Sequence, residues 1–101
     1  MRKPPTADQQ LEFTQLKAFV TVGFEDAVAT LPLSPEDYPA AVADRMWVES
    51  PTLALRGLRE AACDVIEMLR DLQGPRLAAF DARLAKAGAP TLSDMRRGRL
   101  V

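Results

Sequence analysis

The chain has 101 residues, 48% of them apolar and 27% charged, with a net charge of −1. This is ordinary composition for one globular domain; it leaves no room for two domains and argues against wholesale disorder. The near-zero charge gives the molecule no overall pull toward nucleic acid or anionic lipid, no apolar run approaches the roughly 20 residues of a membrane span, and the lone Cys63 excludes an intrachain disulfide.

Residues 1–5, with Pro4 and Pro5, read as a short flexible lead, and residues 6–90 as a single helical domain. Thr6 and Gln9 have the spacing of a capping box, in which each side chain satisfies a free backbone N–H of the other. Phe13, Leu16, Val20, Phe24, Ala27 and Leu31 then recur three or four apart, which predicts a helix over 7–31. The stretch Phe19-Val20-Thr21-Val22-Gly23-Phe24 disfavours helix through its β-branched residues and glycine. A kink at Gly23 or a short strand over 19–24 is the alternative.

Pro32 and Pro35 end that helix. A turn at 34–38 and a short helix at 39–48 follow, with Pro39 in its first turn. Ser50-Pro51 repeats the start signal and opens the strongest pattern in the chain: Leu55, Leu58, Ala62, Val65, Leu69 and Leu72, spaced 3, 4, 3, 4, 3. A helix over 51–73 is expected. Arg56–Glu60 and Glu67–Arg70 are spaced to pair on its outer face. Gly74 is expected to supply a left-handed stop and Pro75 to open the next helix, 75–88, where Leu77, Phe80, Leu84 and Ala87 form the apolar face. So short a connection predicts two antiparallel neighbours. Residues 91–101 are either a basic tail or one short terminal helix starting at Thr91. The fold expected is all-α: a small bundle of three to four helices with a C-terminal αα-hairpin formed by 51–73 and 75–88.

The search for chemistry is mostly negative. The chain has no histidine, which removes the commonest general base and metal ligand. Its single cysteine cannot build a structural zinc site, and its five glycines are isolated, so there is no phosphate-binding loop. Cys63 reads as a small, partly buried apolar residue. The carboxylates Glu60, Asp64, Glu67 and Asp71 read as a solvated face, not a cation site. No cofactor or metal is expected.

The positive features concern surfaces. The seam on 51–73 is longer than one neighbour can cover, so a homodimer would use what remains. Leu55, Leu58, Val65, Ile66 and Met68 are candidate interface residues on this segment, with Leu69 and Leu72 at its end. Tyr38, Met46 and Trp47 have the composition of an interface hot spot if exposed. Residues 1–55 carry four Lys/Arg against eight Asp/Glu, and residues 56–101 carry nine against six. Within the second half Arg96, Arg97 and Arg99 form a compact cationic group suited to an anion or an acidic partner. The leading expectation is a non-enzymatic, cytoplasmic, bacterial protein that acts by binding another protein as a regulator, adaptor, antitoxin-like or inhibitor-like module. The alternatives are a nucleic-acid accessory protein using the basic half, and a helical enzyme holding a small anion through Arg56, Arg59 and Arg70.

Overall fold

In the computed structural model, which describes residues 4–27 and 34–98, Thr6 and Gln9 cap each other as their spacing requires. Thr6 N–H donates to Gln9 Oε1 at 3.0 Å, and Gln9 N–H donates to Thr6 Oγ1 at 3.1 Å. The helix they start, α1, runs Ala7–Ala27. Its expected last turn, 28–31, lies outside the described residues. The doubtful stretch 19–24 is helical throughout. Burial overrides propensity here: Leu16, Phe19 and Val20 are 0–1% exposed, and Val22 and Phe24 are buried too. Thr14 and Thr21 close their hydroxyls onto the carbonyls of Gln10 and Lys17, so neither competes with the helix for a backbone N–H. The buried side of α1 packs mainly on α3, which contacts both α1 and α2, and its other side carries exposed polar residues such as Gln10 and Thr14.

After a 3₁₀ turn at Pro35–Asp37, α2 spans Pro39–Glu49 and α3 spans Pro51–Met68. The one residue between them, Ser50, accepts a hydrogen bond from Leu53 N–H and so caps α3 as expected. Phe13 meets Trp47, Lys17 meets Asp44 and Phe24 meets Tyr38, which makes α2 antiparallel to α1. Glu12 meets Arg59 and Gly23 meets Val65, so α3 runs in the same sense as α1. These three helices enclose Leu16, Phe19, Val20, Ala54, Leu58, Ala62 and Val65.

The structure corrects the expected end of the seam helix. α3 stops at Met68, five residues early; Leu69 has φ −104° and ψ 18°, and Leu72 N–H bonds back only three residues, to Leu69 O. Heptad spacing defines a face and says nothing about where the helix ends. The carbonyl of Leu72, and that of Leu69 as a second bond beside the one from Leu72 N–H, both accept from Arg96 Nη2, at 3.0 and 2.6 Å, across more than twenty residues of chain. Gly74, with φ +61°, is the first residue of α4 (Gly74–Lys86) and not the terminator of α3.

α3 and α4 follow one another closely in sequence, but they are not packed side by side. Among the described residues α3 and α4 do not form a packed pair. The apolar side of α3 is already covered by α1 and α2, so Phe80 and Leu84 of α4 find cover elsewhere: α4 packs on α1 and on α5 (Leu92–Arg96). Gly88, φ +77°, turns the chain after α4, with Ala89 N–H reaching Leu84 O and Gly88 N–H reaching Ala85 O. Thr91 then caps α5 through Asp94 N–H, and Asp81 accepts from Leu92 N–H and Ser93 Oγ–H. Leu92 and Met95 are buried, which anchors this helix to the bundle.

Candidate interaction surfaces

All ionisable side chains of the described residues lie at the surface or partly exposed; none is buried. Apart from Arg97–Asp94 at the end of α5, the ion pairs among the described residues join one helix to another. Arg59 Nε and Nη2 donate to the two oxygens of Glu12, both at 2.7 Å, a bidentate pair that joins α3 to α1. The hydrogen bond to Glu12 raises the Arg59 pKa; slight desolvation opposes it and the Glu12 charge adds to it. Arg83 bonds Asp26 and lies 3.7 Å from Glu25, joining α4 to α1, and the hydrogen bond to Asp26 followed by its charge raises the Arg83 pKa as well. Lys17 Nζ meets Asp44 at 2.7 Å. The pairs expected along α3, Arg56–Glu60 and Glu67–Arg70, are not formed among the described residues; Arg59 bridges between helices instead.

The expected interface residues divide by burial. Leu55, Leu58 and Val65 are 0–2% exposed inside the single chain. They cannot meet a second molecule without unfolding, which corrects the expectation of a dimer seam along 51–73. Ile66, Leu69 and Leu72 are partly buried against the same core. Tyr38, Met46 and Trp47 are half-buried, with the Trp47 ring stacked on Phe13 at 4.2 Å between centroids, so the tryptophan works mainly to fasten α2 to α1. Met68 differs from the rest: it is 44% exposed.

The basic group at the C-terminus is also partly committed. Arg96 caps the end of α3 as described, and Arg97 pairs with Asp94 at 2.6 Å. Arg99 lies outside the described residues. Arg56, Arg59 and Arg70, expected to converge if the chain held a small anion, do not line a common pocket among the described residues: Arg59 is bound to Glu12, and Arg70 faces a groove at the far end of α3. Cys63 is exposed on α3, not partly buried as expected. No group of three or more Cys, Asp or Glu among the described residues is placed to hold a metal ion, and no described helix is long and apolar enough to cross a membrane.

Two of the open grooves among the described residues are roomy enough to take a side chain or more of another molecule. One, of about 500 Å³, runs along the outer face of α1 over Thr14, Ala18 and Thr21, between Phe13 and Ala87. The other, of about 610 Å³, lies at the end of α3 and is lined by Phe24, Asp64, Glu67, Met68, Arg70 and Asp71. From the sequence, Met68 reads as a flank of the seam and the carboxylates as a separate solvated face. Their spacing holds part of the signal that joins them: Asp64 and Met68 lie four apart, as do Glu67 and Asp71, the spacing of neighbours on a helix, although α3 itself ends at Met68.

No known protein family matches the chain, and no curated protein or solved structure is significantly similar to it.

Proposed function

We propose that this chain is a non-enzymatic helical protein that acts by binding another protein, as a regulator, adaptor, antitoxin-like or inhibitor-like module. The observation that carries this reading is the set of large apolar side chains left at the surface of three helices whose core is otherwise closed: Leu11 at 58% exposure, Val48 at 72%, Leu53 at 45% and Met68 at 44%. These side chains stand partly or largely in solvent, and a protein partner is what apolar surface with polar surroundings accommodates. A second copy of the chain is one such partner, but it would have to use these faces, since the seam of α3 is occupied. The reading sets the protein in the bacterial cytoplasm, where a single exposed thiol such as Cys63 stays reduced.

The test is affinity capture from the source organism, with mass-spectrometric identification, run beside a variant carrying Leu11→Gln, Leu53→Gln and Met68→Gln. These positions are exposed, so the variant should keep the parent's circular dichroism. A near-stoichiometric partner retained by the parent and depleted with the variant is the expected result. A parent that enriches nothing over background, and that light scattering shows to be monomeric at all concentrations, would reject the reading.

A further inference from the structure

We propose that the groove at the end of α3 receives a basic, apolar-anchored segment of a partner protein: a helix or strand that presents one large aliphatic side chain flanked by Lys or Arg. This rests on the protein-binding reading above and names the chemistry of the partner. The floor is apolar, formed by the Phe24 ring and by Met68, whose flexible thioether adapts to differing side chains. The rim is acidic. Asp64, Glu67 and Asp71 stand against Arg70 alone, three negative charges to one positive.

Where carboxylates lie beside another helix or its end they are paired: Glu12 with Arg59, Glu25 and Asp26 with Arg83, Asp44 with Lys17 and Asp94 with Arg97. Asp8, Glu36, Asp37, Glu49 and Glu60 also stand without an ion pair among the described residues, but they do not line this groove with its apolar floor. Asp64, Glu67 and Asp71 have no ion pair within 4 Å among the described residues. They also sit where the fold least favours them. The C-terminal end of a helix carries partial negative charge, and cations are stabilising there. The last turn of α3 holds no basic residue. Arg96 reaches this end and places its charge on the carbonyls of Leu69 and Leu72, offsetting part of the helix-end dipole, but it forms no ion pair with Asp64, Glu67 or Asp71 among the described residues. The groove therefore combines an exposed apolar anchor point with an uncompensated negative rim, and a cationic apolar segment satisfies both at once. The same sign of charge opposes nucleic acid and anionic lipid. The rim is open and its carboxylates do not converge on a point, so it is not a metal site.

The net charge of −1 makes the proposal testable with a simple probe, because a cationic peptide has little general attraction to the whole molecule. The probe is a synthetic amphipathic helix of about 14 residues, built of Leu and Lys with leucines on one face, and its counterpart with Glu in place of Lys. Each is titrated into the full ¹⁵N-labelled chain. The expected result is saturable binding of the Lys peptide, with shifts concentrated at Phe24, Asp64, Met68 and Asp71. Affinity should fall at least several-fold between about 50 and about 300 mM salt as the rim is screened. Exposed isosteres keep the fold, so the variant D64N/E67Q/D71N should retain the parent's spectrum and lose at least tenfold in affinity. The control E36Q/D37N, which removes acid charge elsewhere, should stay within twofold. Equal binding to parent and triple variant, shifts scattered over other faces, or equal binding of the Glu peptide would overturn the proposal. Concentration-dependent dimerisation of the parent that D64N/E67Q/D71N abolishes would overturn it too, assigning the groove to a second copy. Capture of a partner that survives the triple substitution would sink this inference and leave the protein-binding reading standing; capture of nothing would sink the broader reading.

Discussion

The close approach of α1 to α3 predicts that one mutation, made at two glycines, will have opposite signs. Gly23 of α1 faces Val65 of α3, and a Cβ built on Gly23 would lie 2.5 and 2.9 Å from the two Cγ atoms of Val65 and 3.3 Å from its Cβ. Val65 is 0% exposed and, as a β-branched residue in a helix, has one strongly preferred rotamer, so it cannot swing aside. Gly23→Ala gains about 1 kcal/mol of helix propensity. Overpacking a closed core costs about 1–3 kcal/mol, and a contact this short belongs at the upper end. The net expectation is a loss of about 1–2 kcal/mol, or roughly 5–15 °C in Tm for a domain of this size. Gly57 lies in α3, and a Cβ added there would meet nothing within 4 Å. Gly57→Ala should therefore stabilise by about 0.5–1 kcal/mol, with propensity acting unopposed. Urea melts followed by circular dichroism measure both. A further variant locates the cause: Val65→Ala removes the two Cγ atoms, so Gly23→Ala made in that background should be close to neutral, with a coupling of about 1–2 kcal/mol in the double-mutant cycle. If Gly23→Ala stabilises the parent as Gly57→Ala does, or the two substitutions at 23 and 65 are additive, then α1 and α3 do not touch at this point.

Three further outcomes follow from the same packing. Val65→Asp buries an unpaired carboxylate at a fully enclosed position and should unfold the chain, seen as loss of helical circular dichroism and collapse of amide dispersion; a folded, monomeric variant would show that the seam is an interface after all. Arg96→Ala strips the cap from the carbonyls of Leu69 and Leu72 and should cost about 1 kcal/mol, while Arg97→Ala, whose partner Asp94 is one helical turn away on the surface, should cost about 0.5 kcal/mol or less. Equal effects would refute the assignment of Arg96 as a tertiary cap. The chain has no histidine, and the two arginines with raised pKa keep their stabilising charge below the unfolded value, losing it only as pH rises through the still higher folded value. Both values lie far above neutrality, so the urea midpoint should be flat from about pH 6 to about pH 8; a step there would mean a group that holds its proton differently in the folded and the unfolded chain within that range.

How much is legible in the sequence depends on whether the signal is local. Thr6 with Gln9, Ser50 with Pro51, and Thr91 each start a helix because a cap needs only residues three apart, and all three caps are present. The all-α class follows from periodicity, and the structure has it. The end of α3 is not legible because the groups that settle it, Arg96 and the carbonyls of Leu69 and Leu72, are far apart in sequence. The partner of α4 is misread because a short connection suggests a hairpin, yet α4 buries Phe80 and Leu84 where apolar surface is still uncovered, and that is on α1 and α5. Propensity counts against a helix at 19–24, but it is worth about 1 kcal/mol per residue at most for non-proline residues. Burial of Phe19, Val20, Val22 and Phe24 outweighs it. Of the candidate surface residues, spacing places Leu55, Leu58 and Val65 on one face correctly but cannot say whether that face is covered from within or from without.

That distinction relocates the functional question from the seam to the end of α3, and it yields a stability argument independent of any ligand. A residue retained for the fold should destabilise when neutralised. Asp64, Glu67 and Asp71 are exposed, without an ion pair among the described residues and gathered toward the negative end of a helix dipole. Removing their charges relieves repulsion with one another and with the helix end, each contribution being about 0.3–1 kcal/mol at low salt. The variant D64N/E67Q/D71N should therefore be more stable than the parent, by about 1 kcal/mol, with the gain shrinking as salt is added. A local rule broken without structural return is what a binding surface leaves in a sequence. Should the variant prove less stable instead, the carboxylates serve the fold, and the groove loses the electrostatic strain on which its assignment to a basic partner rests.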